Sequence, residues 1–177
     1  MPSVRIFLTG EPGSGKTTAI RKISQSLQDR GITVGGMITR EIREDGKRVG
    51  FQVEDIRSHE VGVLAQLNGK SLGAAVGRYA VNLIDLDRVG VIAIKRAVND
   101  ADVVVVDEIG PMELKSQEFI LAVESALASK KSFLSTIHKR ASHHLLNAIR
   151  LNSNYRIIEI SSTNRDRLAL EIVAEFT

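Results

Sequence analysis

Residues 10–18 constrain the fold of this chain more than any other stretch of its sequence. They follow the pattern G-x-x-x-x-G-K-[ST] of a phosphate-binding loop, in which glycines let the backbone turn so that its N–H groups point inward. The apolar run 4–8 predicts a strand that enters the loop, and 16–30 carries apolar residues at helical spacing. The sequence therefore predicts a strand–loop–helix unit whose helix N-terminus attracts the phosphates of a ligand.

This loop supplies the predicted contacts to a triphosphate. Lys16 is expected to reach the β- and γ-phosphates, and the hydroxyl of Thr17 is expected to bind Mg²⁺. The inward-pointing N–H groups of the loop are expected to cradle the remaining phosphate oxygens. The predicted binding residues are Gly10, Glu11, Pro12, Gly13, Ser14, Gly15, Lys16, Thr17 and Thr18.

The length and composition of the chain favour a single globular domain over residues 1–177, because this length is enough for a full core and no linker composition interrupts it. The chain has no cysteine, which excludes disulfides, thiolate metal sites and a cysteine nucleophile. No apolar run approaches the ~18 residues of a membrane span, and the first residues lead into a strand without a signal peptide. We therefore expect a cytoplasmic protein, and a monomer is favoured over a dimer without being decided.

The charge pattern favours a small polyanionic ligand. The net charge is +3, and acidic and basic residues are interleaved rather than grouped in blocks. Aromatic residues make up only 4% of the chain, whereas a nucleic-acid surface usually combines a clustered basic stripe with stacking aromatics. Nucleic acid is therefore not the expected partner.

Strand and helix patterns alternate along most of the chain. The continuous β-branched run 102–107 predicts a central parallel strand that is buried on both faces. Helical spacing at 116–129 and 141–151 alternates with further strand patterns at 132–137 and 156–160. This alternation predicts a three-layer α/β fold around a mainly parallel sheet, in which ligands bind at the carboxyl ends of the strands.

Two stretches depart from this alternation. The dipeptide Asp45-Gly46 between extended runs at 32–39 and 48–56 predicts an inserted β-hairpin. Residues 58–79 carry four glycines and predict a long loop, of the kind that is often functional. Short strands are expected within and after this loop near 61–67 and 78–81, followed by a helix at 85–98.

Two carboxylates end the valine-rich run. Asp107 closes the predicted strand and is expected to hold Mg²⁺ together with the phosphate-binding loop. Glu108 follows directly and is placed to orient and deprotonate a water molecule that attacks a γ-phosphate. The structural alternatives are a helix-capping role for Asp107 and a glutamate bonded to nearby backbone N–H groups for Glu108.

Other polar residues have less certain assignments from sequence. Glu113 either places a favourable charge at a helix N-terminus or takes part in the site. His138 follows the strand pattern at 132–137, and a hydrogen-bonded surface histidine is slightly favoured over a contact with the γ-phosphate. An arginine could supply transition-state charge, as an arginine finger does. The candidates are Arg40, Arg43, Arg48 and Arg78, with Arg78 of most interest because it lies in the glycine-rich stretch.

The loop after the last predicted strand is the candidate site for the nucleobase. Asn164 can hydrogen-bond a base edge, and Arg165 can stack on its face. Thr163 and Asp166 predict a capping box at the start of the final helix. Helix capping explains those two residues but not the pair between them.

Five blocks of sequence occur together in a known family. They lie at 8–18, 48–51, 76–82, 107–114 and 163–166, and the block Asp-Glu-Ile-Gly-Pro-Met-Glu-Leu at 107–114 is the most selective. With these blocks the chain resembles, over nearly its whole length, the THEP-type nucleoside-triphosphatases, also called the cancer-related nucleoside-triphosphatase family. The chain departs from the family pattern at Pro111, where a lysine is expected, so this chain has no cationic side chain at that position.

The resemblance implies Mg²⁺-dependent hydrolysis of nucleoside triphosphates, including ATP, GTP, CTP and UTP, to diphosphate and phosphate, with tolerance of the base. It also implies the additional-strand, RecA-like branch of P-loop NTPases. In that branch a further strand, here 132–137, separates the strand that leads into 10–16 from the strand that bears Asp107. Glu108 as the base that activates water agrees with this branch.

Two other functions remain open from the sequence. A nucleotide or small-molecule kinase uses the same loop, and its ADP formation would depend on an added acceptor. A slow nucleotide-dependent regulatory switch is the third possibility, with the hairpin around Asp45-Gly46 as a partner surface. Strong acceleration of turnover by a protein or RNA would indicate that switch.

Overall fold

The computed structural model of the chain describes residues 3–69 and 73–177. The strands of the described part are β1 (Arg5–Thr9), β2 (Val34–Glu44), β3 (Lys47–Asp55), β4 (Val61–Leu67), β5 (Ala75–Val76), β6 (Tyr79–Val81), β7 (Val103–Ile109), β8 (Ser132–Ile137) and β9 (Arg156–Glu159). The α-helices are α1 (Lys16–Asp29), α2 (Leu83–Asp85), α3 (Ile92–Asp100), α4 (Gln117–Ala128), α5 (His144–Leu151) and α6 (Arg165–Phe176). A π-helical turn at Leu86–Val91 joins α2 to α3, and a 3₁₀ turn at Glu113–Lys115 precedes α4. No helix within these residues is long and apolar enough to cross a membrane.

The strands form one sheet in the order β5-β6-β4-β3-β2-β7-β8-β1-β9. The five strands β2, β7, β8, β1 and β9 are parallel to one another, and β8 lies between β7 and β1. This position confirms the predicted additional strand between the phosphate-binding loop and the strand that bears Asp107. The carboxyl ends of β1, β8 and β7 therefore meet at one edge of the sheet.

The core lies on both faces of the parallel strands. Alternate residues of β7 point to opposite faces, so that Val104 and Val106 pack into one apolar cluster while Val103 and Val105 pack into the other. The first cluster is covered by α3, α4 and α5, and the second by α1 and α6. The result is the three-layer arrangement that the valine-rich run predicted.

The predicted hairpin is the beginning of a larger antiparallel half of the sheet. Asp45 and Gly46 form its turn with φ angles of 48° and 75°, the left-handed values that this dipeptide favours. The sheet then continues through β4 and β6, close to the short strands expected at 61–67 and 78–81, and ends at β5. Residues 70–72 of the glycine-rich stretch lie outside the described residues.

Three helix starts differ from the sequence-based expectation. The helix expected at 85–98 starts earlier, because the Asn82 side chain accepts a hydrogen bond from the Asp85 N–H and caps the helical segment. Helix α5 starts at His144 rather than 141, with His143 as its cap through a bond from the Leu145 N–H. The capping box at the last helix was wrong. Asn164 is the N-cap residue of α6 and makes no side-chain capping bond, whereas Asp166 pairs with Lys22 at 2.5 Å.

Candidate active site

The phosphate-binding loop packs so closely that two of its glycines have no room for a side chain. A Cβ atom on Gly10 would lie 2.4 Å from the carbonyl oxygen of Ile160. Gly15 has a φ of 95°, and a Cβ atom there would lie 2.7 Å from the Cδ of Arg165. The backbone therefore approaches its neighbours directly, and α1 begins at Lys16 immediately after the loop. This geometry leaves the N–H groups at the start of α1 available for a ligand.

Lys16 lies across the loop that precedes it. Its Nζ donates hydrogen bonds to the carbonyl oxygens of Gly10, at 3.0 Å, and Glu11, at 3.2 Å. These bonds hold the ammonium group on the same side of the loop as Asp107 and Glu108, with which it lines one pocket.

Asp107 is the buried carboxylate of the site. Its Oδ1 accepts a hydrogen bond of 2.5 Å from the Thr136 hydroxyl, whereas its Oδ2 is buried without a partner in the described part of the chain. Burial raises the pKa of Asp107, while the hydroxyls of Thr136 and Thr17 act to lower it. A buried carboxylate oxygen without a partner is costly, and a cation bound beside Thr17 would remove that cost.

Glu108 is mostly buried beside Asp107, and the peptide bond between the two residues is cis. Burial, and then the negative charge of Asp107, raise the pKa of Glu108 to about 7, against the opposing effect of Lys16. Its carboxylate passes close to Gly110, where a Cβ atom would lie 2.7 Å from Oε1. The fold therefore leaves room for this carboxylate and places its proton exchange near neutral pH.

Glu113 lies in the 3₁₀ turn before α4, and only 4% of its surface is exposed. Helix α4 is capped by Ser116, whose Oγ accepts a bond of 3.0 Å from the Phe119 N–H. Burial, and then the charge of Glu108, raise the pKa of Glu113 well above its ordinary value. Glu113 is thus a buried neighbour of Glu108 rather than an exposed charge at a helix N-terminus.

The main pocket has a volume of about 360 Å³ and joins the parallel and antiparallel halves of the sheet. Pairing of Met37 with Val106 brings the middle of β2 beside Asp107 and Glu108. This pocket is also lined by Thr39, Glu41 and Phe51, which were not predicted from the sequence. Thr39 and Glu41 lie in β2 beyond its pairing with β7, and Phe51 lies opposite Glu41 on β3. The place of Thr39 at the end of the extended run 32–39 is the signal that could have found it. The complete lining is Gly13, Gly15, Lys16, Thr17, Thr18, Thr39, Arg40, Glu41, Phe51, Asp107, Glu108 and Arg165.

Among the four arginines considered from the sequence, Arg40 is the one that lines the main pocket. Its Nη2 lies 2.7 Å from Oε2 of Glu54, which holds the guanidinium at the pocket wall. Arg43 and Arg48 pair instead with Glu41. Arg78 is exposed and lies outside the lining of this pocket.

His138 lines a second pocket of about 250 Å³ on the other side of Lys16 and Glu108. Its Nδ1 accepts hydrogen bonds from the N–H groups of Arg140 and Ala141, and burial lowers its pKa. His138 is therefore hydrogen-bonded, as the slightly favoured interpretation predicted, but its half-buried ring lines a pocket rather than the open surface. The neighbouring Glu11 side chain binds Lys139 at the rim of this pocket.

The two candidates for a nucleobase contact differ in their surroundings. The Asn164 Oδ1 accepts a bond of 2.8 Å from the Ser161 N–H, and its Nδ2 donates a bond of 3.1 Å to the Glu159 carbonyl oxygen. Asn164 therefore uses its amide to shape its own loop. Arg165 covers Gly15 and lines the main pocket. Its Nε is buried without a hydrogen bond to any described residue, although Oδ1 of Asp166 lies 3.8 Å away.

Comparison with known proteins gives matches over almost the whole chain. The family profile described as NTPase matches residues 5–173. The nucleoside-triphosphatase THEP1 of Thermofilum pendens is 46% identical over 176 residues, which cover 99% of this chain and 96% of that protein. The THEP1 of Archaeoglobus fulgidus is 43% identical over 170 residues, which cover 96% of each chain.

Solved structures agree with these sequence relationships. The crystal structure of THEP1 from the hyperthermophile Aquifex aeolicus superposes with a TM-score of 0.86 at 28% identity, covering 98% of this chain and 99% of that one. The solution structure of a human cancer-related nucleoside triphosphatase gives a TM-score of 0.82 at 33% identity, with 97% and 96% covered. These findings confirm the resemblance stated from the sequence blocks, and the chain belongs to the NTPase family, the enzyme family of the THEP1 nucleoside-triphosphatases.

Proposed function

We propose that this chain hydrolyses nucleoside triphosphates, among them ATP, GTP, CTP and UTP, to the diphosphate and phosphate in a Mg²⁺-dependent reaction. Family membership supports the reaction class. The observation that carries the mechanism is the Glu108 carboxylate, which lies beside Lys16 and has a pKa of about 7. Phosphoryl transfer requires mainly positioning and charge stabilisation, and the main pocket offers groups for both.

The phosphate-binding loop and Lys16 bind the triphosphate in this proposal. The Nζ of Lys16 exchanges its bonds to the Gly10 and Glu11 carbonyl oxygens for bonds to the β- and γ-phosphates. The N–H groups at the start of α1 and around Gly13 and Gly15 donate to the remaining phosphate oxygens. Arg40 supplies positive charge from the opposite wall of the pocket.

Thr17 and Asp107 fit the requirements of a Mg²⁺ site. The unbonded Oδ2 of Asp107 and the Thr17 hydroxyl are both hard oxygen donors, and Thr17 is close enough to lower the pKa of Asp107. The bound ion would neutralise charge on the β- and γ-phosphates. No group of three acidic or histidine side chains in the described residues could hold a metal ion. The ion is therefore expected to bind together with the triphosphate rather than before it.

Glu108 acts as the general base in this proposal. A carboxylate with a pKa near the working pH accepts a proton efficiently and is still largely ionised above pH 7. Glu108 lines both the main pocket and the second pocket, so a water molecule held between Glu108 and the γ-phosphate can be reached from either pocket.

Arg165 also lines the main pocket, where it offers a flat cationic surface to a nucleobase without selecting one base. This contact supports broad substrate use.

Phosphate release from each of the four triphosphates, with Mg²⁺ and without an acceptor, tests this function. We expect release from several of them, and a loss of at least about 100-fold in Glu108→Gln, the range found for removal of a general base. Glu44→Gln is the matched control, because Glu44 is exposed on the hairpin and lies outside the pocket lining. Binding of a fluorescent triphosphate should persist in Glu108→Gln.

Two results would contradict the proposal. Binding of triphosphate without any phosphate release would refute hydrolysis and favour an acceptor-dependent kinase. Full activity in Glu108→Gln would retain hydrolysis and remove Glu108 from the role of base. Chelation of Mg²⁺ should abolish release, and activity that survives chelation would refute the role assigned to Thr17 and Asp107.

A further inference from the structure

A side pocket opens between α1 and the antiparallel strands, next to the main pocket. It has a volume of about 310 Å³, and Arg40 lines both spaces. One wall is a stripe on α1 formed by Arg21, Ser24 and Gln28, whose spacing continues from Thr17 along one face of the helix. The full lining is Arg21, Ser24, Gln25, Gln28, Ile38, Arg40, Glu54, Ile56 and His59. The side pocket therefore runs along α1 away from the Thr17 end of the site.

Two polar groups in this side pocket are buried without a hydrogen-bond partner in the described part of the chain. They are the Nη2 of Arg21 and the Oγ of Ser24, and only 7% of Ser24 is exposed. Buried polar groups in folded proteins are almost always bonded, so two unbonded donors in one pocket indicate a missing acceptor. A single acceptor that bonds to both the guanidinium and the hydroxyl would offer several oxygen atoms.

The charges of the side pocket favour an anion. Glu54 is already paired, with Arg40 at 2.7 Å and His59 at 3.2 Å, which leaves the guanidinium of Arg21 without a bonded carboxylate in the described residues. Burial, and then the charge of Arg40, lower the pKa of Arg21, against the opposing effect of Glu54 and Asp107. Two guanidinium groups therefore face the same space and repel each other, and an anion between them would remove that repulsion.

We propose that the side pocket is a second phosphate site, which binds inorganic phosphate through Arg21, Ser24 and Arg40 while the phosphate-binding loop is occupied. Its volume accommodates the ion with part of its hydration shell, since a water molecule takes up ~30 Å³. The shared Arg40 connects this site to the position of the γ-phosphate, so the phosphate it receives is the product of hydrolysis. That last assignment rests on the proposed function, whereas phosphate binding itself does not.

Equilibrium dialysis with labelled inorganic phosphate tests the site. The protein is first saturated with Mg²⁺ and a non-hydrolysable ATP analogue, so that phosphate cannot occupy the phosphate-binding loop. We expect one phosphate per chain, and a loss of affinity of at least about tenfold in Arg21→Gln, the effect of removing one charge-assisted hydrogen bond. Lys22→Gln is the matched control, because Lys22 is the next residue, carries the same charge and pairs with Asp166 outside the side pocket.

Further measurements separate the possible outcomes. Ser24→Ala should weaken phosphate binding severalfold, and it tests the site independently if Arg21→Gln does not fold. Circular dichroism and affinity for the ATP analogue identify folded variants. No saturable phosphate binding, or equal losses in Arg21→Gln and Lys22→Gln, would overturn the proposal.

Kinetics test the origin of the phosphate. Added phosphate should inhibit hydrolysis in a mixed pattern with respect to ATP, and Arg21→Gln should remove the non-competitive part. Purely competitive inhibition would overturn the product assignment, because it would place phosphate in the phosphate-binding loop alone. A protein that binds phosphate in the dialysis but releases none from any triphosphate would refute the proposed hydrolysis and leave the second phosphate site supported.

Discussion

Replacing Glu108 with glutamine should stabilise the ligand-free protein above pH 7 while it removes activity. The folded chain holds Glu108 mostly buried beside Asp107 and raises its pKa from 4.5 to about 7. Between these two values the folded state binds more protons than the unfolded state, so stability falls as the pH rises. Above about pH 7 the full free-energy cost of burying the charged Glu108 is present, and below about pH 4.5 this cost disappears.

The size of this cost follows from the two pKa values. At 1.36 kcal/mol for each pH unit, the change from 4.5 to about 7 amounts to about 3 kcal/mol. Glutamine has nearly the same shape but no charge to bury, so Glu108→Gln should recover most of this free energy at pH 8. It also removes the charge that raises the pKa of Glu113, which acts in the same direction.

Urea unfolding followed by circular dichroism at pH values from 4.5 to 8.5, without nucleotide or Mg²⁺, measures this effect. With a urea dependence of about 2 kcal/mol per molar, the midpoint of Glu108→Gln at pH 8 should lie roughly 1.5 M above that of the unsubstituted protein. The two midpoints should converge near pH 4.5. Glu44→Gln, on the exposed hairpin, controls for the loss of one negative charge. A difference that does not change with pH, or equal stability at pH 8, would refute the reasoning.

Three further substitutions test other parts of the site and fold. Thr136→Val removes the hydrogen bond to Asp107 and should raise the Mg²⁺ concentration for half-maximal hydrolysis by about tenfold or more, since partners that orient a metal ligand have effects of this size. An unchanged Mg²⁺ titration would contradict this prediction. Arg40→Ala should lower kcat at least about tenfold in phosphate-release assays, because it removes positive charge from the pocket wall. Arg43→Ala lies outside the pocket lining and should change kcat only slightly. Equal losses of kcat in the two variants would exclude a specific role for Arg40. Gly36→Ala should destabilise the chain by about 3 kcal/mol or more in urea unfolding, because the φ of Gly36 is 119° and a Cβ would lie 2.0 Å from the carbonyl oxygen of Val105 in β7. A loss of stability below ~1 kcal/mol would show that β2 and β7 separate easily.

Local sequence patterns were sufficient where the structure depends on neighbouring residues. The glycine and lysine spacing at 10–18 and the valine run before Asp107 predicted the central unit of the fold, because glycine turns and buried strands each have a short-range signature. Asp45 and Gly46 likewise predicted the hairpin through their left-handed backbone angles. These patterns also carried the family relationship that the comparisons confirmed.

Long-range contacts decided what the patterns could not. The capping box at Thr163 was wrong because Asn164 is the N-cap residue and Asp166 pairs with Lys22, a residue distant in the sequence. Arg40 was distinguished from Arg78 only when the pairing of β2 with β7 brought the middle of β2 to the pocket.

The sequence by itself thus determined the phosphate-binding loop, the buried strand β7 and the presence of two adjacent carboxylates at its end. Only the tertiary structure decided how those carboxylates ionise, because their pKa values depend on burial and on groups such as Thr136 that lie far away in the sequence. It also decided that the Nη2 of Arg21 has no hydrogen-bond partner among the described residues, since an unbonded nitrogen can be recognised only when all of its neighbours are known. Backbone conformation is governed largely by adjacent residues, whereas the electrostatics of a site come from the packing of the whole domain.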